Sequence, residues 1–97
     1  MRAVHAVAVR YDLRIPDAQS LKDRRQVVRS LVDGARHRFG VSAAEVGGQD
    51  SWQRASIGFA VVASEARIAE ATLDALDRFV WDRPEIEVID AETHWMV

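Results

Sequence analysis

The sequence predicts an α+β fold, a ferredoxin-like β-α-β-β-α-β chain forming a four-stranded antiparallel sheet with two helices on one face. Three observations predict it. Residues 3–15 and 52–63 alternate bulky apolar with small or polar side chains at period two. Residues 21–38 and 65–83 carry apolar side chains three and four apart, the spacing of an amphipathic helix. A shorter strand pattern follows each helix, so two right-handed β-α-β crossovers interleave, making the first and third strands central and leaving one sheet face open.

The first strand places Val7, Val9, Tyr11, Leu13 and Ile15 on its bulky side, with Val4, Ala6, Ala8, Arg10, Asp12 and Arg14 opposite. Pro16 and Asp17 end it. Ser20, followed three residues later by Asp23, has the pattern of a helix N-cap with an acidic reciprocal partner, so a helix is expected from Leu21 to about Arg38. Leu21, Val28, Leu31, Val32, Ala35 and Phe39 share one arc of that helix, and Lys22, Arg25, Arg29 and Arg36 share a neighbouring one. The helix thus has a core stripe and a basic stripe.

Gly40 supplies a left-handed helix end, and Val41 to Val46 reads as a short strand. Gly47 and Gly48 open a loop through Gln49, Asp50 and Ser51. Trp52 to Ala63 is the third strand, with Ala55, Ile57, Phe59 and Val61 on its bulky side and Trp52, Arg54, Ser56, Gly58, Ala60 and Val62 opposite. Ser64 is the expected cap of the second helix, whose core stripe is Ala69, Thr72, Leu73, Leu76, Phe79 and Val80, and Pro84 forbids its continuation past Arg83. Ile86 to about Met96 completes the sheet, with adjacent Val88 and Ile89 marking a bulge.

With 97 residues the chain has room for one core and is expected to be a single domain, 1–97. Hydrophobic residues at 48% and charged residues at 29% are globular proportions, which excludes disordered and low-complexity readings. No apolar run approaches the length of a membrane span and no secretory leader pattern is present, so a cytoplasmic protein without a membrane partner is expected. The absence of Cys excludes a disulfide framework, a thiolate metal site and a Cys nucleophile. His5, His37 and His94 show no metal-ligand spacing, and no phosphate-binding glycine loop or nucleophile elbow occurs, so no metal, cofactor or catalytic residue is assigned and enzymatic activity is not the expected role. Trp52, Trp81 and Trp95 read as core or interface anchors.

Charge is distributed unevenly. Residues 1–63 carry a net charge of +4 and residues 64–97 a net charge of −6, which yields a dipolar surface if the two parts segregate in space. The open sheet face is expected to show Val4, Ala6 and Ala8 beside Gly58, Ala60 and Val62, a small-featured apolar patch where a solvated sheet would carry polar side chains. A homo-oligomer formed through that patch is expected; the alternative is that a tail carrying Trp95 and Met96 folds over it. The same residues weigh against RNA recognition by bases stacked on central-strand aromatics. RNA contact is expected instead at Lys22, Arg25, Arg29 and Arg36, and at a second zone of Gln49, Asp50, Trp52, Gln53 and Arg54, where cations meet phosphates and an indole meets a base. DNA is not an expected partner.

The segments SLKDRRQVVRSL, Ser20 to Leu31, and VSAAEVGGQDSWQRASIGFAVVAS, Val41 to Ser64, with a closing VIDAE, Val88 to Glu92, resemble the YlxP-like family of small bacterial proteins, a domain-of-unknown-function family. The resemblance spans nearly the whole chain and is most specific at QDSWQRA, Gln49 to Ala55. The family pattern more usually has Asp where this chain has Gly47. The resemblance implies a ferredoxin-like fold and, from the placing of family genes among those for translation initiation and ribosome maturation, an RNA or ribosome context, with no catalytic residues to carry over. The leading expectation is therefore a non-catalytic RNA- or ribosome-associated module. The alternatives are a homo-oligomeric protein-interaction module and, behind it, a small enzyme of the dimeric α+β-barrel type.

Overall fold

The computed structural model describes residues 3–48 and 50–96. Its elements are β1 (His5–Arg14), α1 (Leu21–Phe39), β2 (Ser42–Gly47), β3 (Arg54–Ala63), α2 (Ala66–Trp81) and β4 (Glu87–Trp95). The strands form one antiparallel sheet in the order β2-β3-β1-β4, with two helices packed on one face, which is the expected ferredoxin-like arrangement.

The sheet is organised by its central pair. β1 and β3 pair in unbroken register from His5 opposite Ala63 to Arg14 opposite Arg54. Because cross-strand partners point to the same side, Val7, Val9, Tyr11 and Leu13 share the helix-covered face with Val61, Phe59, Ile57 and Ala55, and all eight are buried. Tyr11 and Phe59 meet edge-to-face at 5.9 Å between ring centres. The Tyr11 hydroxyl donates to Asp77 on α2 at 2.7 Å and so satisfies the core's one phenol.

Local signals explain the element ends. The Ser20 hydroxyl accepts from the Asp23 backbone N–H at 3.0 Å, while the Asp23 carboxylate reaches one residue further back than a capping box does, accepting from the Gln19 N–H at 3.0 Å. Gly40 takes φ 66° and returns its N–H to the Arg36 carbonyl, closing α1. The bulge forecast in the last strand sits at Ile89: Asp12 faces Asp90 and Leu13 faces Val88, so Ile89 is the extra residue. Where the helices cross, Gly34 lets Phe79 in so closely that a Cβ would lie 2.9 Å from the Phe79 Cζ. Phe79 there also meets Phe39 edge-to-face.

Several expectations are corrected. Glu65, not Ser64, stands at the N-cap of α2 and makes no side-chain cap bond, since the bend at Ser64 moves the start of the helix along by one residue. The third strand begins at Arg54 rather than Trp52, because the turn after Gly48 extends through Gln53. Leu21 is exposed, being in the first turn of α1 below the edge of the core. Of the two roles expected of the tryptophans, core or interface anchor, the core one is excluded: Trp52 is 55% exposed, Trp81 58% and Trp95 45%. The tail does not fold over the open face. Trp95 pairs with Val7 and so lies on the helix side, and the Met96 N–H donates to the Ala6 carbonyl at 2.8 Å, which continues β4 along β1.

Two measurements test this account. Ser20→Ala removes one capped donor and is expected to cost about 1 kcal/mol, or a Tm lower by roughly 4 to 8 °C for a domain of this size; an unchanged melting curve would contradict the cap. Tyr11, the sole tyrosine, is held protonated well above its ordinary value of 10.0, first by burial and then by its bond to Asp77. Above pH 10 the unfolded chain therefore releases a proton that the folded chain keeps, so stability is complete below pH 10.0 and falls as the pH rises beyond it. Tyrosinate absorbance is expected to appear only together with loss of the circular dichroism signal, and Tyr11→Phe is expected to flatten the alkaline decline.

Candidate nucleic-acid interface and the open sheet face

The connection between β2 and β3 is held by a residue outside both expected RNA zones. Arg24 lies in phase with Val28 and Leu31 on the core side of α1 and is 3% exposed. Its guanidinium donates to the Arg54 carbonyl at 2.8 Å, to the Gly48 carbonyl at 2.9 Å, and to the Glu45 carboxylate. One buried cation thereby bonds both ends of the hairpin connection and ties it to the second turn of α1. Gln53 adds a second tie, its amide donating to the carbonyls of Pro16 and Ala18 at 3.2 and 3.3 Å, and its own carbonyl accepting from the Ile15 N–H. Gly48 takes φ 78°, and a Cβ there would meet the Ala55 and Arg54 backbone at 3.0 to 3.1 Å, so this turn requires glycine.

Around that anchor the expected contact residues are distributed as follows. Lys22 and Arg25 flank Arg24 on the exposed side of α1's first turns, and Arg29 continues the stripe, also exposed. Arg36 is exposed but engaged: it bonds the Ala43 carbonyl of β2, a strand with no neighbour on its far side, and lies 3.7 Å from Asp33. Asp50, Trp52 and Arg54 are exposed on or beside the hairpin connection, while Gln53 spends its side chain on the loop after β1. Gln49 lies outside the described residues. Arg24 is the residue that sequence reasoning missed, and its signal was a charged side chain at a position the helical period assigns to the core.

The opposite face of the sheet bears the forecast small residues. Ala6 pairs with Val62, Ala8 with Ala60, and Arg10 with Gly58. Ser42 and Ala44 of β2 adjoin Ala60 and Gly58, and Val46 covers Gly58. Val62 is 72% exposed and Val4, preceding the strand, is 63% exposed. A shallow depression of about 420 Å³ lies among Ala8, Ala44, Val46, Gly58, Ala60 and His94. Toward β4 the face turns charged. Arg10 reaches Asp12 and Asp90 at 3.2 Å and Glu92 at 3.3 Å, and Asp12 also accepts from the Ser56 hydroxyl at 2.8 Å. Asp12, with Glu92 after it, raises the pKa of Arg10. His94 adjoins Glu92.

The family model for "Protein of unknown function (DUF503)" matches residues 7–93. The chain belongs to this DUF503 family. It is 40% identical over 81 residues to "Uncharacterized protein YlxP" of Bacillus subtilis (strain 168), covering 84% of this chain and 88% of that protein. Among solved structures, the de novo designed protein Foldit4 superposes with a TM-score of 0.55 at 13% identity, covering 92% of this chain and 96% of that one, a likeness of fold alone. Among the described residues no helix is long and apolar enough to cross a membrane, and no three His, Asp or Glu side chains gather in a way that would hold a metal ion.

The Arg24 clamp yields a direct prediction. Arg24→Met keeps the stem's volume but leaves two backbone carbonyls and a half-buried carboxylate without their donor, for an expected loss of about 2 to 3 kcal/mol. Denaturant unfolding reads that loss. Faster amide exchange at Ser51 and Arg54, with the α2 core retained, would locate it in the hairpin connection.

Proposed function

We propose that this domain is a non-catalytic module that binds RNA through its phosphate backbone, using the exposed cations of α1 together with the β2–β3 connection as one surface. The observation that carries this reading is the Arg24 clamp. It ties Gly48 and Arg54 to the helix turn that displays Lys22 and Arg25, so two groups of residues far apart in sequence become neighbours. Trp52 offers an exposed indole beside them, a stacking platform that accepts any base, while the cations supply attraction that carries no sequence information. In this reading the arginines of α1 divide their work: the buried Arg24 guanidinium positions the surface, and the exposed Arg25 and Arg29 contact the ligand.

The translation context implied by the family resemblance supports RNA among polyanions. The acidic α2 and β4 side favours approach from α1, because a polyanion is repelled by one flank and drawn to the other.

Lys22, Arg25 and Arg29, with Arg36 partly engaged, are expected to give a log-affinity against log-salt slope of roughly −2 to −3 on single strands. Arg29→Glu is expected to weaken binding to ribosomal and unrelated RNA alike, and Trp52→Ala to weaken it without altering the slope. Fluorescence anisotropy measures both. No binding at about 50 mM salt, where screening is weak, would overturn the reading.

A further inference from the structure

We propose that a second copy of this chain covers the open sheet face, related by a two-fold axis that runs parallel to the strands. The inference is independent of RNA binding and rests on the face itself.

The face needs a cover. Its apolar part spans three strands, β1, β3 and β2, about 4.8 Å apart, and roughly three rows of outward residues along them, or about 300 Å² per copy. Pairing two such patches buries about 600 Å², short of the roughly 1,200 Å² at which specific interfaces begin. The edges of the face must therefore contribute, and their charges decide how two copies can meet. On the β4 edge stand Glu87, Asp90 and Glu92, all exposed. At the β2 edge Arg36 reaches round from α1 to the Ala43 carbonyl.

With the strands of the two copies aligned, two kinds of two-fold axis bring a sheet face onto its own copy. An axis across the strands stacks each strand on itself, placing acidic β4 on acidic β4 and Arg36 against Arg36. An axis along the strands exchanges the edges, so that β4 of each copy lies over β2 of the other and β1 over β3. Only the second sets unlike charges together, and symmetry does so twice.

That axis also preserves height along the strands, so each row stacks on the same row of its partner. Ala8 then meets the partner's Ala60, where small side chains let the sheets come close. Arg10 comes over the partner's Gly58 and the Val46 that covers it, and Arg10 can be covered because Asp12, Asp90 and Glu92 already accept its hydrogen bonds. Glu92, in the Arg10 row, comes level with Ala44 and so beside the Arg36 that holds Ala43.

Sedimentation of the full chain tests the proposal. The expected species has twice the 10.9 kDa of one chain. Ala60→Glu, and Ala8→Glu as a second variant, are expected to weaken the dimer at least about 100-fold with the circular dichroism spectrum unchanged, because each buries an unpaired carboxylate. Arg36→Glu is expected to weaken it about tenfold, and adding Glu92→Arg to that variant to recover about threefold of that loss, the remainder reflecting the acceptor that Arg10 loses at Glu92 while keeping Asp12 and Asp90. A native chain that stays monomeric up to about 100 μM overturns the proposal, as does a dimer that both sheet-face glutamates leave intact. A dimer lost in those variants but not rescued by the charge exchange overturns the axis.

Discussion

The unbroken register between β1 and β3 is the constraint on which the remaining structure depends. Ten consecutive pairs fix which side chain faces which way on both central strands at once, and a slip of one residue would send Val7, Val9, Tyr11 and Leu13 to the open side and Ala6, Ala8 and Arg10 into the core. The penalty is steep on both counts, with a core of Phe59, Ile57 and Val61 losing its partners while a guanidinium enters an apolar layer. The same register therefore produces the dense helix-covered core and the thinly furnished opposite face.

Most of that was legible in the sequence because it is carried by period. Two strands with bulky residues on one side, two helices with apolar residues three and four apart, and Gly40 and Pro84 as stops leave few ways to assemble the chain. The bulge at Ile89 was legible for the same reason, since Val88 and Ile89 cannot both follow a strict alternation. Boundaries were less so. Ser64 has a good capping side chain, yet α2 starts a residue later without a side-chain cap, because the exit from β3 rather than cap chemistry decides where the helix begins. The tryptophans show a further limit: each is apolar enough for a core, but all three are at element ends or in a connection, where the core has already run out.

Arg24 marks where pattern reading gives way to geometry. In sequence it is one of two adjacent arginines in KDRRQ, and only its phase with Val28 and Leu31 distinguishes it from Arg25. No periodicity could supply its partners, because the carbonyls of Gly48 and Arg54 lie 24 and 30 residues away. Arg10 is paired both ways, with Asp12 two residues along the chain and with Asp90 and Glu92, which are 80 and 82 residues distant. Buried Arg24 is expensive to leave unpaired, and it is paired through the fold rather than along the chain. The expected RNA-contact zones were named separately for this reason: what joins them is a buried side chain and not a surface one.

Topology also turns a property of the chain into a property of the surface. In the order β2-β3-β1-β4, the strands from residues 42–63 lie on one side of β1 and the strand from residues 87–95 on the other. α1 packs against β2 and α2, while α2 lies over β3, β1 and β4. The first part of the sequence, with its surplus of arginine, is thus drawn toward the β2 edge, and the last part, with nine carboxylates against three arginines, toward the β4 edge. A net charge of only −2 then coexists with unlike surpluses of charge toward the two edges of the sheet, a transverse dipole. A near-neutral sphere of mixed charge would present any polyanion with weak, undirected attraction, whereas a dipole orients the domain before contact and sets opposite edges of two copies against each other. Exchanging charges between the two edges would leave composition, isoelectric point and core untouched and still reverse that orientation. For this domain the placing of charge by strand order therefore carries more functional information than its amount.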